Sequence, residues 1–287
     1  MSIIIISQKF YFMSIKTLSY KPTFLQKFLG QNYKWWFLLQ YEYKRSNGHF
    51  YSFIFVNIVR AIEFLVVIYV WKINNSPAEI ITYLCLGRVF ERMISSPFGV
   101  VLGSYIDSGK ITTHLVLPQK SLLYYFISDL GFNQMRQFLG GMITLILAIL
   151  IFNSDVKLNF SFGWLILFLP MATIIRFYAN ILIGLIAFWI RERANNSSIM
   201  GGIYMLMGIL AGEIIPLNLV LNGNLSFLQF TPFAYFLHLP MQIYLGKYSP
   251  IEIFYVFLGG IFWCIILYFL AKLVFKMGLK KNESVGM

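Results

Sequence analysis

The residues able to do chemistry in this sequence are charges set inside apolar stretches. Arg60 and Glu63 stand three apart, Arg88, Glu91 and Arg92 share one helical face, and Asp129 and Arg136 stand seven apart. These spacings bring side chains together on one side of a helix and favour pairing. Arg176 has no acid near it in its own stretch, so its partner is expected on another helix or in a polar cavity. A charge at the centre of a membrane helix costs about 2.5–3.5 kcal/mol, and those near a membrane end can snorkel. Two uses fit them: ion pairs that hold a helix bundle together, or the lining of a substrate route through it.

Enzymatic signatures are missing. The sequence has no HExxH, CxxC or GxSxG, and His49, His114 and His238 are too scattered for a metal site. The stretch Gly103-Ser-Tyr-Ile-Asp-Ser-Gly109-Lys110-Ile111 resembles a phosphate-binding loop only superficially, because its glycine spacing is wrong and Ile111 stands where Ser or Thr is required. No catalytic, cofactor or metal site is expected in this chain, and any energy must come from an ion gradient or a separate ATPase. Cys85 and Cys264 lie in apolar runs, where a thiol acts as a small hydrophobe.

The elements that must carry these charges follow from composition. Of 287 residues, 59% are hydrophobic, 18% aromatic and only 12% charged, with a mean hydropathy of +0.71. A water-soluble domain and a disordered chain are both excluded. The net charge of +12 is not gathered into a basic face, which argues against nucleic acid. Apolar windows long enough to cross about 30 Å of hydrocarbon fall at 50–71, 80–106, 122–152, 162–190, 198–221 and 253–275. The fold class expected is therefore an all-α polytopic membrane protein with six transmembrane helices in residues 50–276.

Fifteen lysines and arginines then fall on the side of the N-terminus, against Lys72, Lys157 and Lys247 on the other. The bias puts both termini in the cytoplasm, with a cytoplasmic segment at 1–34 and a tail at 277–287. The first residues do not form a signal peptide, and Met13 is an alternative start to Met1. Residues 35–49, aromatic and ending in Lys44 and Arg45, read as an interfacial elbow helix that meets anionic lipid.

Small residues and prolines mark further features. Gly99 with Gly103 and Gly208 with Gly212 are small-xxx-small patterns, and Gly140-Gly141, Gly201-Gly202 and Gly259-Gly260 add flat patches. Pro97 and Pro170 should kink or interrupt the second and fourth spans. A polar insert at 106–118, with Asp107, Gly109 and Pro118, outlines a short cytoplasmic helix. The segment 213–246 is too apolar for a free loop and is broken by Pro216, Pro232 and Pro240, which suits short re-entrant helices between the fifth and sixth spans.

These residues resemble the membrane subunits of bacterial type-2 ABC exporters. The likeness covers about 35–281 and rests on the elbow before six spans, on the turn Ile106 to Pro118, and on Gly212-Glu213 with Pro216, followed by Pro232-Phe233 and Pro240. The resemblance implies a permease in the bacterial cytoplasmic membrane that pairs with a second, identical or related permease and with two ATP-binding cassette subunits. ATP and Mg would be bound by those partners. It further implies that Asp107, Gly109, Ile111, Leu115 and Pro118 couple to the ATPase, that Glu213, Pro216, Pro232, Phe233 and Pro240 form an outer gate, and that Gly99, Gly103, Gly208 and Gly212 meet the second permease. Gradient-driven carriage is the competing reading. It calls for paired inverted halves, and residues 50–152 and 162–275 show no self-similarity. A non-catalytic partner of another complex is a third, which leaves the charged spans unexplained.

Overall fold

The computed structural model describes residues 33–47, 50–74, 77–112, 121–152, 162–190, 193–213, 216–217 and 226–283. It falls into two compact units, Met1–Leu38 and Leu39–Met287. The described part of the first is the start of helix α1 (Tyr33–Asn47), where Lys34 Nζ lies 5.0 Å from the centre of the Trp35 ring.

The second unit is helical, with no strand among the described residues. After α1 come α2 (Phe50–Ile73), α3 (Ala78–Ile94), α4 (Phe98–Asp107), α5 (Ser121–Asp129), a π turn (Leu130–Gln134) and α6 (Met135–Phe152). Helix α7 (Phe162–Leu185) runs into a 3-10 turn (Ile186–Phe188), and α8 (Arg193–Ala211) follows. Two 3-10 turns (Ser226–Phe230 and Pro232–Tyr235) lead to α9 (His238–Tyr244) and the long α10 (Pro250–Glu283).

Among the described residues, four helical stretches are long and apolar enough to cross a membrane: Phe53–Ile73, Leu122–Ile151, Gly163–Phe188 and Pro250–Lys281. The other two expected windows take different forms. The one at 80–106 is broken, because α3 ends at Ile94, Ser95 is extended and α4 restarts after Pro97. Proline has no N–H to donate and pushes the residue before it out of the helical region. The window at 198–221 is cut short, since α8 stops at Ala211 and its apolar part is only Ile199–Ala211. Pro170, by contrast, sits inside a continuous α7.

Helix α7 is the hub, packing on α10, α4, α3, α9 and α8. Most of its length is buried, while α2 and α10 leave most of theirs exposed. Ile58, Ile62 and Val66 on α2 and Ile261, Ile265 and Phe269 on α10 form apolar stripes far too extensive for a water-facing surface. Glycine permits a close approach of two backbones: a Cβ on Gly99 would strike the Asn180 carbonyl, and one on Gly184 would strike the carbonyl of Gly99. Helices α4 and α7 therefore meet backbone to backbone.

At the elbow, Glu42 is buried beside Ser128 and Arg45, with the Arg45 guanidinium 3.3 Å from it. Burial raises the Glu42 carboxyl above its usual range, and Arg45 and Ser128 oppose the rise. A carboxyl raised on folding holds more protons in the native state, so its contribution to stability falls as pH climbs from the free-carboxyl value to the folded one. Glu42→Gln should remove that slope, which thermal unfolding measured across acid and neutral pH would check.

Candidate functional site

The charged residues gather where α8 ends. Gly212 adopts φ of 80°, Gly212 N–H donates to Ile209 O at 3.1 Å and Glu213 N–H to Gly208 O at 3.0 Å. This is the glycine-terminated cap in which two N–H groups fold back onto the last turn, and it turns Glu213 under the helix. A Cβ on Gly208 would meet Glu213 Oε2, and one on Gly212 would meet the Tyr83 hydroxyl. Tyr83 donates to Gly212 O at 3.2 Å, tying α3 to the cap.

Delivered in this way, Glu213 accepts a hydrogen bond from Arg176 Nη1 in a buried ion pair. The Arg176 guanidinium also lies 4.8 Å from the Phe236 ring, next to the Pro232–Tyr235 turn. Glu91 shares the electrostatic neighbourhood of Glu213 and Arg176 and pairs with Arg88 at 3.3 Å. Two arginines and two glutamates from α3, α7 and the end of α8 thus form a charge-balanced cluster. Within it, Arg176 has the partner on another element that its isolation in the sequence required.

The remaining charges are handled differently. Arg92 Nη1 donates to Asn57 Oδ1 and Thr144 Oγ1, both at 2.9 Å, and to Gly140 O at 3.2 Å, so neutral acceptors pin α3 to α2 and α6. Arg60 and Glu63 are exposed on α2, and no ion pair joins them among the described residues. Asp129 accepts from Asn133 at 2.6 Å, whereas Arg136 lies 4.8 Å over the Phe53 ring. The π turn between them explains why a spacing of seven fails here: it inserts extra chain per turn and rotates Arg136 off the face of Asp129.

The four glycines expected at a second subunit, Gly99, Gly103, Gly208 and Gly212, lie against the same chain, with Gly103 facing Met200 and Gly184. The segment expected as an outer gate is packed: Pro216 and Pro240 are buried, Pro232 opens a 3-10 turn, and Phe233 stacks edge-on against Phe236 with ring centres 5.9 Å apart. Trp263 Nε1 donates to Phe230 O at 3.0 Å, fastening the segment to α10.

After α4, the turn that begins the expected coupling segment is described as far as Thr112. Gly109 has φ of 71°, and Ser108, Lys110 and Thr112 are exposed. Asp107 is half-buried, and Ile111 is fully buried in the chain's own core. Leu115 and Pro118 lie outside the described residues. Sequence reading missed Tyr83 and Phe236, which contact the cluster. Uncharged polar and aromatic residues in apolar windows carry no spacing signal.

Residues 74–286 match the family described as ABC-2 family transporter protein. The chain belongs to that family and is a membrane permease of the ABC-2 type. The match covers α3 to α10 and leaves α1 and α2 outside. No curated protein and no solved structure matches the chain.

Proposed function

We propose that this permease is one subunit of an ATP-driven exporter, pairing with a second permease and with two ATP-binding cassette subunits that bind ATP and Mg. Family membership over 74–286 is the observation that carries the reading. The six-span path has α3 and α4 together as one broken crossing and α8 as a short one, with both termini in the cytoplasm of a bacterial cell. Closure of the ATPases reaches the bundle through the turn after α4 and biases it between two arrangements. The cluster of Arg176 and Glu213 holds the outer, proline-broken segment to α7 in one of them.

The ATPase should be encoded in a neighbouring reading frame. Copurification of the two chains, followed by a screen for compounds that raise ATP turnover, tests the assignment. Transport by the purified permease without any nucleotide-hydrolysing partner would refute it.

The burial of Ile111 directs the residue-level test to its neighbours. Lys110→Glu combined with Thr112→Glu, both exposed, should lower ATPase association at least roughly tenfold, the effect of losing about 1.4 kcal/mol of contact energy, with the permease still folded. Ile111→Ala should instead destabilise the permease by about 2–5 kcal/mol, read as loss of thermal stability before any loss of association.

A further inference from the structure

Helix α2 carries charge at the depth of the lipid tails. Arg60 and Glu63 are both exposed on it, inside the apolar stretch Phe53–Ile73. At 1.5 Å per residue Glu63 stands about 15 Å into that stretch, the middle of about 30 Å of hydrocarbon. An arginine can stretch its stem toward a headgroup layer, but a glutamate at the centre reaches neither surface. Charged side chains at this depth turn to protein or to water-filled space, because facing lipid is among the costliest placements in a membrane.

The chain's own bundle lies on another side of α2. Asn57, Ala61, Phe64 and Ile68 are its buried residues, and Phe64 and Ile68 pack with Ile81 and Cys85 of α3. Two other cations stand near. Arg92 is within electrostatic reach of Arg60 and Glu63, but it is buried behind α2 and donates to Asn57, Thr144 and Gly140. Arg136 lies over the Phe53 ring. Among the described residues, neither Arg60 nor Glu63 joins an ion pair.

A second seam runs along α2 through these two charges. Val56, Arg60, Glu63, Val67 and Val70 follow one another at intervals of four, three, four and three, and all five are exposed. This alternation is the heptad spacing by which two helices pack side by side. The seam is also self-complementary. A two-fold axis along the membrane normal keeps the termini of both copies on one side, so their α2 helices run parallel. Under such an axis a contact from one residue to another is made twice. Arg60 of each copy then meets Glu63 of the other, and two cations and two anions alternate about the axis between layers of valine. The uncharged stripe of Ile58, Ile62 and Val66 is left to lipid.

Resting on the reading above that two permeases pair, we infer that the second permease is an identical chain and that the α2 seam, with reciprocal Arg60–Glu63 ion pairs, is where the two copies meet. The glycines of α4 and α8, buried in their own chain, take no part in this contact.

The test uses the full chain, in the membranes of expressing cells and, purified, in lipid vesicles, where dilution with lipid reads self-association. Val67→Cys, which meets its own mate across the axis, should give a disulfide-linked homodimer on oxidation with copper phenanthroline. Ile62→Cys on the lipid-facing stripe and wild type, with Cys85 and Cys264, should not. Arg60→Glu alone and Glu63→Arg alone gather like charges at the axis, and each should weaken self-association at least roughly tenfold. Both changes in one chain restore the alternation and should bring association back to within about threefold of wild type. Coexpressed under different tags, the two single variants should pair with each other in preference to themselves. Unchanged self-association of either single variant overturns the proposal. So does a Val67→Cys chain that stays unlinked or links to a different polypeptide, and this measurement, made with the native charges, decides the matter if a charge variant fails to fold. ATPase copurification without the Val67→Cys link removes this interface and leaves the exporter reading standing, whereas the link without any ATPase does the reverse.

Discussion

Glu213→Gln should strip the permease of about 3–5 kcal/mol, the cost of leaving one member of a buried ion pair without its partner. At 2–4 °C per kcal/mol for a chain of this size, the melting temperature should drop by roughly 6–20 °C. Arg176→Leu should do less harm to stability, since Glu213 is the more exposed of the two and keeps a little solvent contact. The informative variant carries both changes, Arg176→Leu with Glu213→Leu. Replacing a buried pair with apolar side chains often recovers stability, so the double variant should melt close to wild type. If the pair serves only to hold the bundle, transport returns with stability. If it latches the outer segment, the double variant is stable and transports poorly, because the held arrangement no longer has its charged tie. Equal melting of wild type and Glu213→Gln would show that the two side chains do not meet.

Gly99→Leu should abolish accumulation of folded permease. Helix propensity alone favours replacing a mid-helix glycine, by up to about 1 kcal/mol for alanine. The sign is reversed here because the new Cβ points at the Asn180 carbonyl, part of a helix backbone that cannot swing aside as a side chain can. Overpacking of this kind costs about 1–3 kcal/mol and more when backbone must move, and α4 has only ten residues with which to hold its place on α7. Gly201→Leu is the matched control: Gly201 is exposed on α8, with nothing within 4 Å of a built Cβ. Fluorescence-detected size exclusion should show a sharp peak for Gly201→Leu and aggregate for Gly99→Leu. Identical peaks would mean that α4 and α7 are not in backbone contact.

Much of this architecture was legible because hydropathy and proline act locally. The lipid-facing character of α2 and α10, the break at Pro97 and the packed, proline-broken segment before α10 all follow from residue types within a few positions of where they act. Arg176 could be singled out as needing a distant partner, but the identity of that partner could not, since it depends on how Gly212 turns Glu213 back under α8. Asp129 and Arg136 show the opposite limit. Their pairing was inferred from a regular 3.6-residue period, and a π turn that leaves no mark in composition rotated one away from the other. Glycine spacing likewise announces close approach without saying to what, and Gly99 and Gly103 met α7 and α8 of their own chain. Ile111, which the resemblance puts among the coupling residues, is buried in the chain's own core, and its place in a polar insert gives no sign of that.

The 34 residues of α10 extend about 51 Å at 1.5 Å per residue, against about 30 Å of hydrocarbon. The surplus carries Lys276, Lys280 and Lys281, the last with its Nζ 5.8 Å from the Trp189 ring. A rod that overruns its solvent must lean when the bilayer thins and straighten when it thickens. Gly259 and Gly260 press this rod on Tyr235 and Met171, so a change in its tilt would reach the Pro232–Tyr235 turn by direct contact.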